Sequence, residues 1–389
     1  MEDVLNARID FSLPTHWLHG LDYARKAGEL LRQKNVKHPL VLTDSLLVKL
    51  GTVAPVLESL AACGFAYDIC DKFTAEPTVK HFDATAKELN LKKYDAVVAV
   101  GGGSVLDSAK ALAVIAKFGG SVRDFAGRDK IPAAPDWVNI SIPTTAGTGS
   151  EVSDGGVFID EDRNSKFIMM SKKVSATVAL TDPLMTVSMP PGVTAVSGSD
   201  ALVHAVESYL SRYANPVSRL FSGRAVRLIS SYLPVAYADG HNLEARNAMQ
   251  VGSTMAMSAG CNVYLGLCHS IAMPLCGLYH MPHGQACGMC LPFVLKYNAA
   301  TVPQQVKEVL TLMGLWDTTL PAPEAFENGF ALVEQFLNDI GIKTHLSPFG
   351  FNPNDVDAIA ASTLNSLQCP PNPRTPTHNE IAELVCSFT

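Results

Sequence analysis

The sequence predicts two domains, an α/β domain with a parallel sheet and an all-helical domain. Short, almost continuous apolar runs alternate with helical patterns up to about residue 190, as is typical of parallel strands covered by helices on both faces. Only helical patterns follow, after a break at Met189-Pro190-Pro191. We therefore expect a Rossmann-like parallel-sheet domain over residues 1–190 and an all-helical domain over residues 191–389.

The elements of the first domain are predicted from runs of apolar residues and from helical spacing. Buried strands are predicted over 39–43, 65–69, 96–100 and 138–142. Helices are predicted over 21–33, 46–60, 79–89 and 106–117.

The second domain shows helical stretches and no convincing pair of strands. The predicted helices cover 194–212, 215–236, 243–265, 286–299, 302–314, 323–340, 354–366 and 378–387.

The composition indicates a well-buried cytoplasmic enzyme. Hydrophobic residues make up 47% of the chain and charged residues 17%. The net charge of −7 argues against a nucleic-acid partner, which would call for a basic stripe. The acidic start does not look like a signal peptide, and no apolar run approaches the ~20 residues of a membrane span. We expect a small-molecule substrate and no membrane association.

The nine cysteines are an odd number, which favours reduced thiols over a disulfide framework. Cys287-Gly-Met-Cys290 matches C-x-x-C and could be a redox pair or half of a zinc site. No second such pair exists and no strand precedes this one, so buried helix thiols are the favoured interpretation.

A glycine turn follows the strand at 96–100. Glycines in Gly101-Gly102-Gly103 allow backbone N–H groups to approach a phosphate, and the following helix adds a favourable dipole. Ser104 could cap that helix or donate to phosphate. The run is not G-x-G-x-x-G, so a purely structural turn is nearly as plausible on its own.

A second polar loop follows the strand at 138–142. Thr144, Thr145 and Thr148 suit contacts to a ribose or a pyrophosphate, although a loop that caps a helix would look similar. Asp44 ends the first strand, where a carboxylate can accept from a ribose hydroxyl and would repel a 2′-phosphate. This predicts NAD in preference to NADP, with a helix N-cap at Asp44 as the alternative.

Histidines and a carboxylate in the second domain predict a metal site. Asp200 and His204 are four residues apart in a helical run, so they share one helix face. His269, His280 and His283 lie in a mostly apolar segment, and neutral imidazole is the commonest metal ligand. Glu207 shares the helix of Asp200, either as a supporting residue or on a solvated face.

Taken in this order, these motifs resemble the iron-containing (group III) alcohol dehydrogenases. The resemblance rests on Gly101–Asp107, Thr144–Glu151, Asp200-x-x-x-His204 and His269…His283-Gly284, and it extends from Leu42 almost to the end of the chain. It implies an NAD(P)-binding α/β domain and a helical domain that holds a divalent metal, usually Fe²⁺ and sometimes Zn²⁺. The fold is related to that of dehydroquinate synthase.

The resemblance also assigns expected roles to individual residues. The metal ligands would be Asp200, His204, His269 and His283. Lys166 would reach the ribose, Leu184 would pack beside the nucleotide, and Asp107 would lie behind the glycines. The full set of residues expected at the cofactor is Asp44, Gly101, Gly102, Gly103, Ser104, Asp107, Thr144, Thr145, Thr148, Lys166 and Leu184.

Two positions depart from the family pattern. Met273 stands where the family has a second histidine, which puts the proton path and the substrate preference in question because methionine cannot relay a proton. Glu76 stands where many members have asparagine. His280 is the nearest other imidazole in the sequence, so we expect either His280 or bound water to handle the proton.

The expected function is an NAD(P)-dependent interconversion of a small alcohol with its aldehyde or ketone. One alternative is a reductase of the same fold that acts on an anionic carbonyl compound such as maleylacetate or a phosphono- or sulfo-aldehyde. Less favoured are a lyase like dehydroquinate synthase and a non-catalytic nucleotide-binding protein. We expect a homodimer.

Overall fold

The computed structural model describes residues 9–73, 77–163 and 165–389, so Glu76 lies outside the described residues. The chain divides into two compact units. The sheet unit spans Leu13–Met189, and the helical unit comprises residues 9–12 together with Pro190–Thr389. The division between the units falls at Met189, one residue before the end of the expected first domain.

The described residues of the sheet unit form nine strands. In chain order they are β1 (His16–His19), β2 (Pro39–Leu42), β3 (Asp68–Cys70), β4 (Ala96–Gly101), β5 (Gly127–Arg128), β6 (Val138–Pro143), β7 (Gly155–Asp160), β8 (Ser165–Met170) and β9 (Val178–Thr181). The main sheet has the order β1-β9-β6-β4-β2-β3, and its neighbouring strands are all parallel. A smaller sheet has the order β5-β8-β7 and includes an antiparallel β7–β8 hairpin.

Helices cover both faces of the main sheet. They are α1 (Ala27–Gln33), α2 (Ser45–Lys49), α3 (Ala54–Ala62), α4 (Val79–Glu88) and α5 (Gly103–Phe118). On β4, Val97 and Ala99 belong to the core shared with α4 and α5, whereas Val98 and Val100 belong to the core shared with α1 and α3. Successive side chains of a strand point to opposite faces, so a strand buried on both sides must be apolar throughout. The predicted parallel sheet with two covered faces is confirmed.

Several predicted elements differ in their bounds. The single helix expected over 46–60 is two helices, because Gly51 has a left-handed backbone (φ 72°) just after α2. The first predicted helix, over 21–33, has its α-helical part only from Ala27. Strands β1, β5 and β9 and the β7–β8 hairpin were not predicted. β1 and β5 contain few apolar residues and β7 begins with two glycines, so their periodic signals are weak.

The helical unit contains nine α-helices among its described residues. They are α6 (Pro191–Leu210), α7 (Pro216–Ala238), α8 (Leu243–Val263), α9 (Leu267–Tyr279), α10 (His283–Ala299), α11 (Pro303–Leu312), α12 (Ala322–Asp339), α13 (Val356–Leu364) and α14 (His378–Cys386). None of the described residues of this unit lies in a strand, as predicted. Helix α6 is buried along most of its length and packs against α7, α8 and α10.

Helix α9 is the main element of this unit that sequence patterns did not predict. It contains Pro274 and Gly277, both of which disfavour a helix interior. Most of its apolar side chains are nevertheless buried, and tertiary burial outweighs local propensity in such cases.

Membrane-spanning segments were sought among the described residues. No single helix there has both the length and the apolar character to cross a membrane. Helices α8 and α9 meet these criteria only as a pair joined across a bend of 102°.

Candidate active site

Three imidazoles in the helical unit converge on one carboxylate oxygen. The Nε2 atoms of His204, His269 and His283 lie 3.7, 3.5 and 3.8 Å from Oδ1 of Asp200. The rings of His204 and His269 are stacked, with centroids 4.7 Å apart. The four residues expected from the sequence as metal ligands are therefore brought together, and we refer to them as the metal cluster.

Two helices carry most of the metal cluster and pack closely enough to bring it together. Asp200 and His204 lie one turn apart on α6, and His283 is the first residue of α10. Gly284 permits the close packing, since a Cβ atom there would lie 2.0 Å from the carbonyl oxygen of Val196 and 3.0 Å from Cβ of Asp200. Glycine is thus required directly beside His283.

The burial of the metal cluster fits a bound cation. Asp200, His204 and His269 are each 4% exposed, while the side chain of His283 is 36% exposed and leaves one side open. Oδ1 of Asp200 and Nε2 of His269 are buried and have no hydrogen-bond partner among the described residues. Leaving buried polar atoms unpaired costs about 1–3 kcal/mol each, so a cation held by these atoms would remove an evident penalty.

Glu207 supports the metal cluster from α6. Its Oε2 accepts a hydrogen bond from Nδ1 of His269 at 2.6 Å. The same carboxylate accepts from the backbone N–H groups of Gly266 (2.9 Å) and Cys268 (2.6 Å). The sequence left open a solvated helix face for Glu207, and the structure excludes this because Glu207 is buried. Because the hydrogen bond from Nδ1 of His269 to Glu207 fixes the ring, the other nitrogen of the ring, Nε2, points towards Asp200.

The charges within the site shift the pKa values of its members. Burial raises the pKa of the Asp200 carboxyl, but the surrounding histidines outweigh burial and hold that pKa well below its usual range. Burial lowers the pKa of His269, yet the carboxylates of Glu207 and Asp200 raise it to about 9. The metal-free cluster therefore holds an ionised aspartate and a protonated His269 near neutral pH.

Two thiols flank the imidazole of His283. Sγ of Cys287 lies 3.6 Å from its Nε2, and Sγ of Cys276 lies 3.8 Å from its Nδ1. Cys287 and Cys290 are buried on α10 and form no disulfide, as the sequence favoured. Burial raises the pKa of both thiols. The proximity of Cys287 to the metal cluster was missed. The spacing His283-x-x-x-Cys287 on one helix was the available signal.

The residue invoked for proton transfer follows the end of α9, whereas Met273 lies in the middle of this helix. His280 follows its last residue, Tyr279, and has a left-handed backbone (φ 50°) with an exposed side chain. His280 is not one of the four residues of the metal cluster, and it makes none of the contacts described above. Met273 is half-buried within α9. A catalytic role for His280 therefore stays a prediction.

In the sheet unit, most residues expected at the cofactor lie at one edge of the main sheet. Asp44 follows β2, Gly102 follows β4, Thr144 follows β6 and Leu184 lies just after β9. These strands are parallel, so their carboxyl ends share one edge, where open α/β sheets bind their ligands.

The two polar loops touch one another at this edge. A Cβ atom on Gly102 would lie 3.5 Å from Cγ2 of Thr145, and one on Gly103 would lie 2.9 Å from Cγ2 of Thr148. Gly102 is the N-cap residue of α5 and has no side chain to bond the first backbone N–H groups of the helix. Ser104 lies in the first turn of that helix. The predicted phosphate turn and the threonine loop are thus parts of one surface.

The buried side chain of Lys110 binds residues of the threonine loop and of the smaller sheet. Lys110 Nζ is surrounded by four oxygen atoms, those of Asp107 Oδ1 (3.3 Å), Ser150 Oγ (2.9 Å), Ser153 Oγ (2.7 Å) and Gly155 O (2.7 Å). Asp107 also accepts from Ser150 Oγ and from the N–H of Val157. Asp107 lies behind the glycine turn as expected, but its carboxylate is committed to these partners. These contacts give Asp107 a role in holding the two loops together, and direct contact with the cofactor stays a prediction.

The other residues expected at the cofactor are Asp44, Leu184 and Lys166, and each lies on a different element. Oδ1 of Asp44 accepts from the N–H of Leu47, so Asp44 is the N-cap of α2, the alternative that the sequence left open. Leu184 is 39% exposed in the turn after β9. Lys166 lies on β8 opposite Ile159, in the smaller sheet, and its contact with the ribose stays a prediction.

Comparison with known proteins identifies the family. Residues 14–183 match the model described as iron-containing alcohol dehydrogenase, and residues 194–388 match the C-terminal model of the Fe-containing alcohol dehydrogenase family. Together these matches cover most of the chain. The chain belongs to the iron-containing alcohol dehydrogenase family, as the resemblance implied.

Individual relatives cover nearly the whole chain. The NAD-dependent methanol dehydrogenase of Bacillus methanolicus is 31% identical over 378 residues, which are 97% of this chain and 98% of the relative. A crystal structure of 1,3-propanediol oxidoreductase superposes with a TM-score of 0.93 at 33% identity, covering 98% of this chain and 100% of that one. Sulfoacetaldehyde reductase from Bifidobacterium kashiwanohense, solved with NAD⁺, gives 0.88 at 25% identity, covering 98% of each chain. The protein is therefore an oxidoreductase of alcohols and aldehydes.

Proposed function

We propose that this enzyme transfers hydride between NAD(H) and a small, uncharged alcohol or aldehyde at a divalent metal held by Asp200, His204, His269 and His283. The observation that carries the proposal is the convergence of three Nε2 atoms within 3.5–3.8 Å of Asp200 Oδ1. When bound, the metal, Fe²⁺ or alternatively Zn²⁺, supplies Lewis acidity towards a substrate oxygen, and the nicotinamide carries the hydride.

The donor set suits a transition metal that must stay Lewis-acidic. One carboxylate and three neutral imidazoles leave a divalent cation with a net charge of about +1. Glu207 holds His269 through Nδ1, which fixes the orientation of that ligand and raises its basicity. Imidazole suits both iron and zinc, so the metal present depends in part on supply.

NAD is preferred over NADP in this proposal. Support comes from Asp44, which lies at the carboxyl edge of the parallel sheet and caps α2 with one oxygen. A carboxylate at this position favours a free ribose hydroxyl and repels a 2′-phosphate. The glycine turn and the threonine loop offer backbone N–H and hydroxyl groups for the pyrophosphate.

An uncharged substrate fits the helical unit better than an anionic one. The side chains outside the metal cluster that contact its histidines in the described geometry are Glu207, Cys276 and Cys287, with no lysine or arginine among them. The similarity to sulfoacetaldehyde reductase keeps an anionic carbonyl substrate as the second candidate. Such a substrate would need a cation from elsewhere in the chain.

Proton transfer is assigned to His280 or to bound water. His280 has an exposed imidazole directly after α9, the helix that carries His269. Replacing it by phenylalanine is expected to lower turnover and to alter its pH profile. An unchanged rate and profile would leave bound water as the carrier. A cytoplasmic location and a homodimeric state remain predictions.

The proposal is tested with metal-stripped full-length protein. NADH oxidation is followed with a panel of short aldehydes, before and after anaerobic addition of Fe²⁺ or Zn²⁺. We expect turnover to depend on the added metal and to be faster with uncharged aldehydes than with sulfo- or phosphono-aldehydes of similar length. Turnover only with the charged compounds would favour the second candidate.

A further inference from the structure

Helix α10 presents two donor atoms to the metal cluster. His283 and Cys287 are four residues apart on α10, so both project from one face, as Asp200 and His204 do on α6. One donor atom from each of Asp200, His269, His283 and Cys287 can be chosen so that all four lie within 4.8 Å of one another. The Cys287 thiol thus meets the same geometric condition as Asp200, His269 and His283, three of the four expected ligands.

We propose that Cys287 is an additional metal ligand in this enzyme, donating its thiolate sulfur beside Asp200 and the histidines. This inference rests on the proposed function, since it concerns the same metal. It adds a soft donor to a set otherwise made of nitrogen and oxygen.

The observed separation matches that of two donors on one ion. Nitrogen and sulfur ligands bound to one ion at about 2.0 and 2.3 Å lie roughly 3.1–3.7 Å apart for angles of about 90–120° at the metal. Sγ of Cys287 and Nε2 of His283 are 3.6 Å apart. The buried, unpartnered Oδ1 of Asp200 and Nε2 of His269 face the same point, which independently indicates that a cation belongs there.

The packing of α10 on α6 keeps Cys287 at this point. Gly288 follows Cys287 just as Gly284 follows His283, and a Cβ atom on Gly288 would lie 3.1 Å from Cβ of Ser199. Ser199 Oγ also donates to the carbonyl oxygen of Gly284 at 2.8 Å. The two glycines hold α10 against the helix of Asp200, so Cys287 is buried.

Ligation has a simple chemical balance. The buried Cys287 is a neutral thiol before metal arrives, so binding breaks its S–H bond, forms a sulfur–metal bond and releases one proton to solvent. No oxidant or reductant is required. Thiolate ligation would lower the net charge at the metal from about +1, the value for one carboxylate and three imidazoles, to about zero, which reduces its Lewis acidity. Thiolate donors favour Zn²⁺ or Co²⁺ over a hard ion such as Mn²⁺.

Cobalt spectroscopy tests this directly. Metal-stripped full-length protein is loaded with Co²⁺ and its absorption compared with that of Cys287→Ser, Cys287→Ala and the control Cys290→Ala. Cys290 is also buried on α10 but is absent from the four-donor group. We expect a near-ultraviolet sulfur-to-cobalt charge-transfer band in wild type and in the control. Both Cys287 variants should lose this band and keep the visible bands of bound cobalt.

A second readout measures metal preference. In Cys287→Ser the preference for Zn²⁺ over Mn²⁺ should fall at least about tenfold, the lower limit for losing even an outer-shell partner. Circular dichroism checks that the near-isosteric variant is folded. Visible cobalt bands without a charge-transfer band in wild type, or a band that persists in Cys287→Ala, would overturn the thiolate ligand alone. Failure of wild type to bind cobalt would overturn the metal site as well.

Discussion

Oε2 of Glu207 lies 2.6 Å from Nδ1 of His269, although the two residues are 62 positions apart in the chain. The same carboxylate accepts hydrogen bonds from two backbone N–H groups at the start of α9. Glu207 therefore fixes both the helix that carries His269 and the direction of its ring. Its contribution to metal binding acts through His269.

Replacing Glu207 by glutamine is expected to weaken metal binding about 10–100-fold, the usual cost of losing an outer partner of a ligating histidine. Glutamine has one acceptor oxygen where glutamate has two, so it cannot accept both from Nδ1 of His269 and from the N–H of Cys268. It also lacks the negative charge that makes the His269 ring more basic. Equilibrium dialysis with Zn²⁺ measures the change. Glu308→Gln is the control, since Glu308 accepts from the hydroxyl of Tyr209 and not from the metal cluster. Equal affinity in wild type and Glu207→Gln would refute the positioning role.

Metal affinity should rise with pH between about 7 and 9. The pKa of His269 is raised to about 9 in the metal-free site, so its proton competes with the metal below that pH. Each unit of pH below the pKa of His269 should cost about tenfold in affinity through this group alone. If Cys287 is a ligand, release of its proton adds a further rise that continues above about pH 9, so Cys287→Ala should show the contribution of His269 by itself. Competitive titration with a chelator of known pH behaviour gives the curve. An affinity that stays constant over this range would contradict the raised pKa.

Replacing Lys110 by methionine should destabilise the sheet unit and weaken cofactor binding. The substitution leaves the carboxylate of Asp107 without its buried cation, and breaking such a pair costs about 3–5 kcal/mol of unfolding free energy. Urea unfolding and NADH titration measure the two effects. Lys117→Met on the same helix is the control, because its surface pair with Asp136 is worth at most about 1 kcal/mol. Similar losses in both variants would argue against a special role for Lys110.

Two substitutions at Asp44 separate its capping role from its charge. Asp44→Ser keeps an N-cap for α2, so stability should be nearly unchanged while the preference for NAD over NADP falls about fivefold, the equivalent of roughly 1 kcal/mol. Asp44→Ala should show the same fall and also lose about 0.5–2 kcal/mol of stability. The ratio of kcat/KM for the two cofactors provides the measurement. A preference that survives in Asp44→Ser would assign cofactor choice to other residues.

Local patterns predicted the carboxyl edge of the sheet and the helix face shared by Asp200 and His204. The choice of His269 and His283 as the other two ligands came from the family resemblance. Strands such as Ala96–Gly101 are apolar throughout, and the turn residues follow them directly in the chain. Asp200 and His204 needed only helical spacing to be placed on one face. Both predictions depend on residues close together in sequence.

Long-range contacts could not be predicted in the same way. The bond between Glu207 and His269 depends on how α6 and α9 pack, and the four oxygen partners of Lys110 come together only through the loop and the smaller sheet. Helix α9 forms despite Pro274 because burial outweighs its local propensity. Cys287 was considered with Cys290, whereas its spacing from His283 was the informative one.

Titration of metal into stripped protein tests the central claim most directly. Turnover of NADH with the best aldehyde is measured against the amount of bound Fe²⁺ or Zn²⁺. We predict that activity rises in proportion to occupancy, saturates at one ion per chain, and is abolished in Asp200→Asn together with tight metal binding. Full activity in protein shown to contain no metal, or undiminished activity and metal binding in Asp200→Asn, would contradict the account.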